Sequence, residues 1–150
     1  MSLSRSALRC VALAEFAAKD QSNENMTRLF SYCLRIDDGA APNPFWGFCT
    51  LVICKPKIRR AAKEGDWIVG TGSRRSPLGD VSGYLVYAMR VSRKMSMEDY
   101  EGFVRKHCRR KVPSWGHADY RRWLGDAIYD FAHSPPSVRS SVHTTENRKK

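Results

Sequence analysis

The chain has 150 residues, the size of one ordinary domain, with 42% hydrophobic and 27% charged side chains. That balance excludes a disordered polymer, and the lack of any apolar run of about 18 residues excludes a transmembrane helix. Lys and Arg number 26 against 15 Asp and Glu, a net +11, so polyanions are the expected partners: nucleic acid first, an anionic membrane or a nucleotide second, with a merely soluble basic surface as the alternative; the partner expected in the end is a nucleotide or nucleic acid and no membrane.

The charge is unevenly placed. Residues 1–25 carry 3 positive and 3 negative side chains, residues 26–111 carry 17 against 8, and residues 112–150 carry 6 against 4. Leu8, Val11, Ala12, Glu15 and Phe16 fit a short amphipathic helix, and Arg9 and Glu15 break the apolar stretch that a signal peptide needs. Asp20 to Asn25 reads as a linker, and Met26 is a plausible second start. Five cysteines with no Cys-x-x-Cys spacing argue for free thiols in a reducing cytoplasm and against a structural metal.

Leu29 to Ile36 alternates and predicts a strand, with Phe30, Tyr32, Leu34 and Ile36 on one face. Asp37 to Pro44 is rich in turn residues. Phe48 to Lys55 reads as a second strand. Pro56 then suits a first helical position before a short basic helix over 57–63. Trp67 to Val69 is a third strand, ended by Gly70-Thr71-Gly72-Ser73. Residues 74–82 form a loop, and 84–91 predict the clearest strand. Ser96 caps a helix with Asp99 in the place of a capping-box acid, and Met97, Tyr100, Phe103 and Val104 form its apolar stripe. The basic run 105–111 follows. A helix over 118–124 and a strand over 127–131 close the pattern. The residues after Ser134-Pro135-Pro136 read as a polar tail.

Taken together, Leu29–Pro44, Cys49-Thr50-Leu51, Cys54-Lys55-Pro56, Ile58-Arg59-Arg60, Gly65–Ser73, Leu85–Val91 and Gly125–Tyr129 resemble the nucleotide-modification-associated domain, type two. The resemblance covers about residues 28–143. It implies a role near modified DNA bases in phage or bacterial systems, with no settled reaction. The Gly65-Asp66-Trp67 turn into a strand is also similar to PUA-like domains such as EVE and ASCH. The expected fold is therefore α+β: a small partly open β-barrel or sheet of PUA-like type, flanked by short helices. The expected organisation is an extension over 1–25, a domain over 26–133 and a tail over 134–150. Similar domains run on into a further strand, so the tail reads as cut before a last strand.

Several residue groups are candidates for chemistry. Asp37, Asp38 and Asp126 are candidate acids or bases, with a turn signal before Gly39 as the plainer reading of the first two. Asn43 could read a base edge, with Phe45 and Trp46 as stacking platforms; closing the core is the alternative for the aromatics. Arg35, Lys55, Arg59 and Arg60, and the Gly70, Thr71, Gly72 and Ser73 turn, are candidate nucleotide contacts. Lys63, Arg105, Lys106, Arg109, Arg110 and Lys111 are candidate phosphate contacts, and a solvated surface is their alternative. No metal or cofactor is expected. The leading expectation is a nucleotide- or nucleic-acid-binding domain. An enzyme of modified-nucleotide metabolism and a small regulatory interaction protein are the alternatives.

Overall fold

The computed structural model describes residues 26–144. The readings made above for residues 1–25 and 145–150 lie outside them. The described chain is α+β and divides into two compact units, residues 26–36 with 61–94 and residues 37–60 with 95–144.

The first unit is an open three-stranded sheet. Strand β1 (Leu29–Cys33) pairs in parallel with β2 (Trp67–Thr71), and β2 pairs antiparallel with β3 (Leu85–Arg90). A sheet, not a closed barrel, is therefore what the strands build. The period-2 alternation of β1 places Phe30 and Tyr32 on the more buried face, beside Ile68, Gly70, Tyr87 and Met89 in register. The predicted strands over 29–36 and 84–91 both form, the first ending earlier at Cys33 and the second one residue shorter at each end, and the third runs on through Gly70 to Thr71.

Asp66 fastens the start of this sheet. Its Oδ1 accepts from the Arg28 backbone N–H (2.9 Å), and its Oδ2 accepts from the Arg28 guanidinium (2.7 Å) and the Lys63 N–H (2.8 Å). The Arg28 guanidinium, aided by those backbone donors, holds the buried Asp66 carboxyl well below the usual carboxylate range. A folded pKa below the unfolded one makes this contribution fully present above the unfolded value, about 3.9. It is lost as pH falls through the folded value. The urea midpoint of Asp66→Asn should thus lie below that of the native chain by a constant gap from about pH 5 to 8. That gap should shrink once the pH falls below about 4. A gap unchanged at low pH would remove the charge from this account.

The Gly70 and Gly72 positions are set by close packing. A Cβ on Gly70 would lie 2.2 Å from Leu34 Cδ1 and from Tyr87 Cε1, and one on Gly72 would lie 1.9 Å from the Val81 carbonyl oxygen. The second neighbour is backbone, so it cannot swing aside. Gly72→Ala is expected to cost about 1–3 kcal/mol, read as a fall in urea midpoint with unchanged m-value.

The second unit holds helix α2 (Met97–His107), the short helix α1 (Pro56–Ala61) at its chain boundary, two 3₁₀ turns (Arg109–Lys111 and Tyr120–Arg122) and a two-stranded hairpin of β4 (Tyr129–Asp130) and β5 (Ser137–Val138). Ser96 caps α2 as its sequence predicts: its Oγ accepts from Asp99 N–H (3.0 Å) and donates to the Asp99 carboxylate (2.7 Å). Tyr100 and Val104 turn inward with Ala127, joined by Val52, Met95, Phe103 and Val112. The hairpin is tied to α2 by Arg139, which donates to Ala127 O (2.9 Å), Tyr129 O and Glu101 Oε1 (2.7 Å). Arg105 also pairs with Glu101. Burial pushes Glu101 up, but the two guanidiniums outweigh it and hold the carboxyl below its ordinary value.

Three predicted elements differ. Phe48 to Lys55 is not a strand: it keeps a single bridge, Asn43 with Thr50. Lys55 has φ +58°, which breaks an extended run, and the Thr50 side chain is drawn into a buried cluster described below. The segment 118–124 forms a 3₁₀ turn and not an α-helix. The residues after Pro136 contribute β5 and a fully buried Ser141, so this stretch is packed through residue 144.

Candidate functional site

At the centre of the second unit is a buried polar cluster. Lys111 and Asn43 are 0% exposed and Asp126 is 1% exposed. The Lys111 ammonium donates to Asn43 O (3.0 Å), Asn43 Oδ1 (3.0 Å) and Thr50 Oγ1 (2.8 Å). Thr50 Oγ1 donates to Asp126 Oδ2 (2.6 Å), and Tyr100 OH donates to Asp126 Oδ1 (2.6 Å). Asn43 Nδ2 donates to Leu124 O (2.8 Å). Burial and the Asp126 charge push the Tyr100 phenol well above its ordinary value, so it stays a donor. The cluster joins a cation and a carboxylate through one hydroxyl, and it satisfies the groups that burial would otherwise leave costly.

Local sequence explains how these residues meet. Helix α2 ends at His107 with Cys108 as its cap, and the 3₁₀ turn over Arg109–Lys111 rotates Lys111 inward while Arg109 and Arg110 stay exposed. Gly125 lets the following strand lie against this turn: a Cβ there would sit 2.6 Å from Pro113 N and 2.7 Å from Lys111 O. Asp126 follows directly and reaches Thr50 and Tyr100.

The same cluster anchors a loop at the surface. Asn43 Oδ1, already holding Lys111, also accepts from the Phe45 N–H (3.2 Å). The Cys108 thiol donates to the Trp46 carbonyl (3.0 Å), and burial pushes that thiol up. Between these fixed points Trp46 adopts φ +67°, a left-handed conformation rarely taken by a bulky side chain, with Gly47 at φ +88°. Strain of this kind persists only where the surroundings impose it.

Two guanidiniums meet the Trp46 ring. The Arg121 Cζ lies 4.8 Å and the Arg110 Cζ 5.2 Å from its centroid, both within cation–π range. The indole N–H of this half-buried ring has no hydrogen-bond partner among the described residues. Arg121 is carried by the 3₁₀ turn over Tyr120–Arg122, whose loop is closed by Ser114 N–H donating to Arg122 O (2.9 Å). Asp119 caps that turn and grips Arg121 through both carboxylate oxygens at 2.7 to 3.1 Å. Arg110 has no carboxylate partner within salt-bridge range among the described residues.

The other predicted residues fall elsewhere. Asp37 and Asp38 are exposed and share no hydrogen bond with Asp126. Asp38 Oδ1 accepts from Ala40 N–H (2.9 Å), an Asx turn. Crowding by surrounding protein, then the Asp38 charge, raises Asp37. Arg59 turns its guanidinium back onto the Cys54 and Ile53 carbonyls (2.9 and 3.2 Å), while Arg60 and Lys57 are exposed on α1 and Lys55 is half-buried. Gly72 N–H donates to Tyr84 O (2.9 Å) and Arg75 N–H to Ser73 Oγ (3.1 Å), so these amides already have acceptors in the chain. Thr71 belongs to β2. Arg35 and Lys63 are exposed in the first unit. Phe45 packs its ring on Gly39, where a Cβ would lie 2.6 Å away. Arg105 is paired with Glu101 and Asp130, Arg109 donates to Arg105 O (3.0 Å), and Lys106 is exposed. Lys111 does not present its ammonium to solvent.

Arg121, Thr50 and Tyr100 were missing from the sequence-based set. Thr50 and Tyr100 resembled strand and core positions. The signal for Arg121 was a capping Asp two residues before an Arg, which marks a turn but not what the guanidinium covers.

The chain matches the model of the family described as nucleotide modification associated domain 2 over residues 26–150. The chain belongs to that family. The family ties it to nucleotide modification and accords with the resemblance read from its motifs. No curated protein and no solved structure matches it. No described helix is long and apolar enough to cross a membrane, and no described group of three or more His, Cys, Asp or Glu is placed to hold a metal ion.

Proposed function

We propose that this chain binds a nucleotide or nucleic acid within a modified-base system, with arginines holding phosphate and Trp46 receiving a base. One observation carries the reading: two guanidiniums from separate turns converge on a tryptophan held in a strained backbone conformation. Arginine is the side chain suited to this work, because its planar fork pairs with phosphate oxygens and also stacks on aromatic and base faces. The buried cluster behind the loop holds Trp46 and Arg110 in place and takes no direct part in contact.

This assigns different work to two residues expected to touch ligand. Asn43 and Lys111 set the loop and the turn from within. Base reading then rests on Trp46 stacking, which tolerates any base.

Intrinsic fluorescence of the full chain should change on titration with a nucleotide at low salt. The apparent affinity should fall steeply as salt rises, because phosphate-led binding releases counterions. No response at low salt, or one that persists undiminished at high salt, would contradict this function.

A further inference from the structure

We propose that the ligand group read by Arg110 and Arg121 beside Trp46 is a terminal phosphate monoester, and that Asp119 occupies the Arg121 fork until this group displaces it. The proposal rests on the binding function above and narrows its ligand. Asp119 holds Arg121 with the geometry an oxyanion would use: Oδ1 accepts from Nε (2.9 Å), and Oδ2 accepts from Nε (3.1 Å) and from the terminal nitrogen (2.7 Å). A singly charged carboxylate is therefore already in place, delivered by a residue two positions away.

An incoming ligand has to improve on that arrangement. An internal phosphodiester carries one negative charge and two free oxygens, so on Arg121 it only matches Asp119, charge for charge. A terminal monoester carries close to two charges at neutral pH and three acceptor oxygens. The extra charge and oxygen need a second cation, and Arg110 supplies it. The two guanidinium carbons lie 4.8 and 5.2 Å from the same ring centroid, so they are no more than about 10 Å apart, and the exposed side chains need only swing together to share one phosphate. Arg110 and Arg121 are both exposed, and exposed ion pairs are weak enough to exchange partners. Asp119→Asn keeps a side-chain oxygen that can cap the 3₁₀ turn, so removing the charge leaves the turn intact.

The terminal phosphate could belong to a free nucleotide or to the end of a strand. Four probes separate these: a nucleoside 5′-monophosphate, its parent nucleoside, a dinucleotide with hydroxyl ends, and the same dinucleotide with a 5′-phosphate. Each is titrated into the full chain by fluorescence and calorimetry. The two 5′-phosphorylated probes are expected to bind about tenfold tighter than the hydroxyl-ended dinucleotide, one added charge-assisted pair. Asp119→Asn should tighten the hydroxyl-ended dinucleotide by about two- to fivefold, the worth of an exposed ion pair. If only the monophosphate gains, the proposal stands with a free nucleotide as the source; if only the phosphorylated dinucleotide gains, it stands with a strand end. Equal binding of both dinucleotides, with Trp46 still responding, overturns the monoester and leaves the binding function intact. Silence from all four probes overturns both.

Discussion

Lys111→Met is expected to lower the unfolding free energy by about 3–5 kcal/mol, the usual cost of leaving one partner of a buried charged network behind. The substitution keeps an unbranched chain of similar length, so the loss is of donors and charge more than of volume. Asn43 O, Asn43 Oδ1 and Thr50 Oγ1 lose a shared donor, and Asp126 remains with its two hydroxyl donors in a site from which water is excluded. Thermal and urea unfolding read the effect directly. A fall this large shifts the midpoint by roughly 4–8 °C per kcal/mol in a unit of this size. The double variant Lys111→Met with Asp126→Asn should cost less than the two single losses added, because it removes the stranded charge as well. A loss below about 1 kcal/mol for Lys111→Met would mean that the ammonium does not organise this unit, since a mere surface lysine falls near that range.

Trp46→Gly is expected to separate binding from folding. Base stacking contributes about 1–3 kcal/mol, so losing the ring should weaken nucleotide binding by roughly 5- to 150-fold. Truncating a buried aromatic normally costs about 3–5 kcal/mol of stability. Here the ring is only half-buried, and glycine takes φ +67° without the penalty of about 1–2 kcal/mol that a Cβ brings to a left-handed residue. The stability loss should therefore be well below that range while binding collapses. Trp46→Ala keeps the Cβ and is the control: it should bind as poorly as Trp46→Gly and unfold more readily. Unchanged binding in Trp46→Gly would take the ring out of the site.

Much of the fold was legible because it follows from local periodicity. The alternation in Leu29–Cys33 shows one more buried face, the β-favouring residues of Leu85–Arg90 show the strand, and the Ser96 cap with its apolar stripe shows α2. The run 48–55 misled for a physical reason. Its β-branched residues fit a pleated surface, but Thr50 gains more from a buried hydrogen-bond cluster, and the left-handed Lys55 ends any extended run. Lys111 was the least legible residue of all. It sits in a run of seven residues, Arg105 to Lys111, whose letters apart from Cys108 favour solvent. Only the 3₁₀ turn after α2 directs it inward, and its partners lie 61 and 68 positions away. Asn43 stood out in the sequence as a candidate base reader, and in the structure its side-chain oxygen accepts from a lysine of the same chain. Trp46 was legible as an aromatic beside turn residues. The arrival of Arg121 over its ring depends on a distant loop that no local pattern announces.

The most direct test of the account follows the indole N–H signals of the four tryptophans by NMR while a nucleoside 5′-monophosphate is added to the full chain. Trp46→Phe and Trp67→Phe assign the two signals that matter. The Trp46 signal is expected to move with saturation, and Arg110→Ala with Arg121→Ala to abolish the movement. Trp67, at the head of the sheet in the other unit, should stay still. A saturating response at Trp67 with Trp46 unmoved would contradict it.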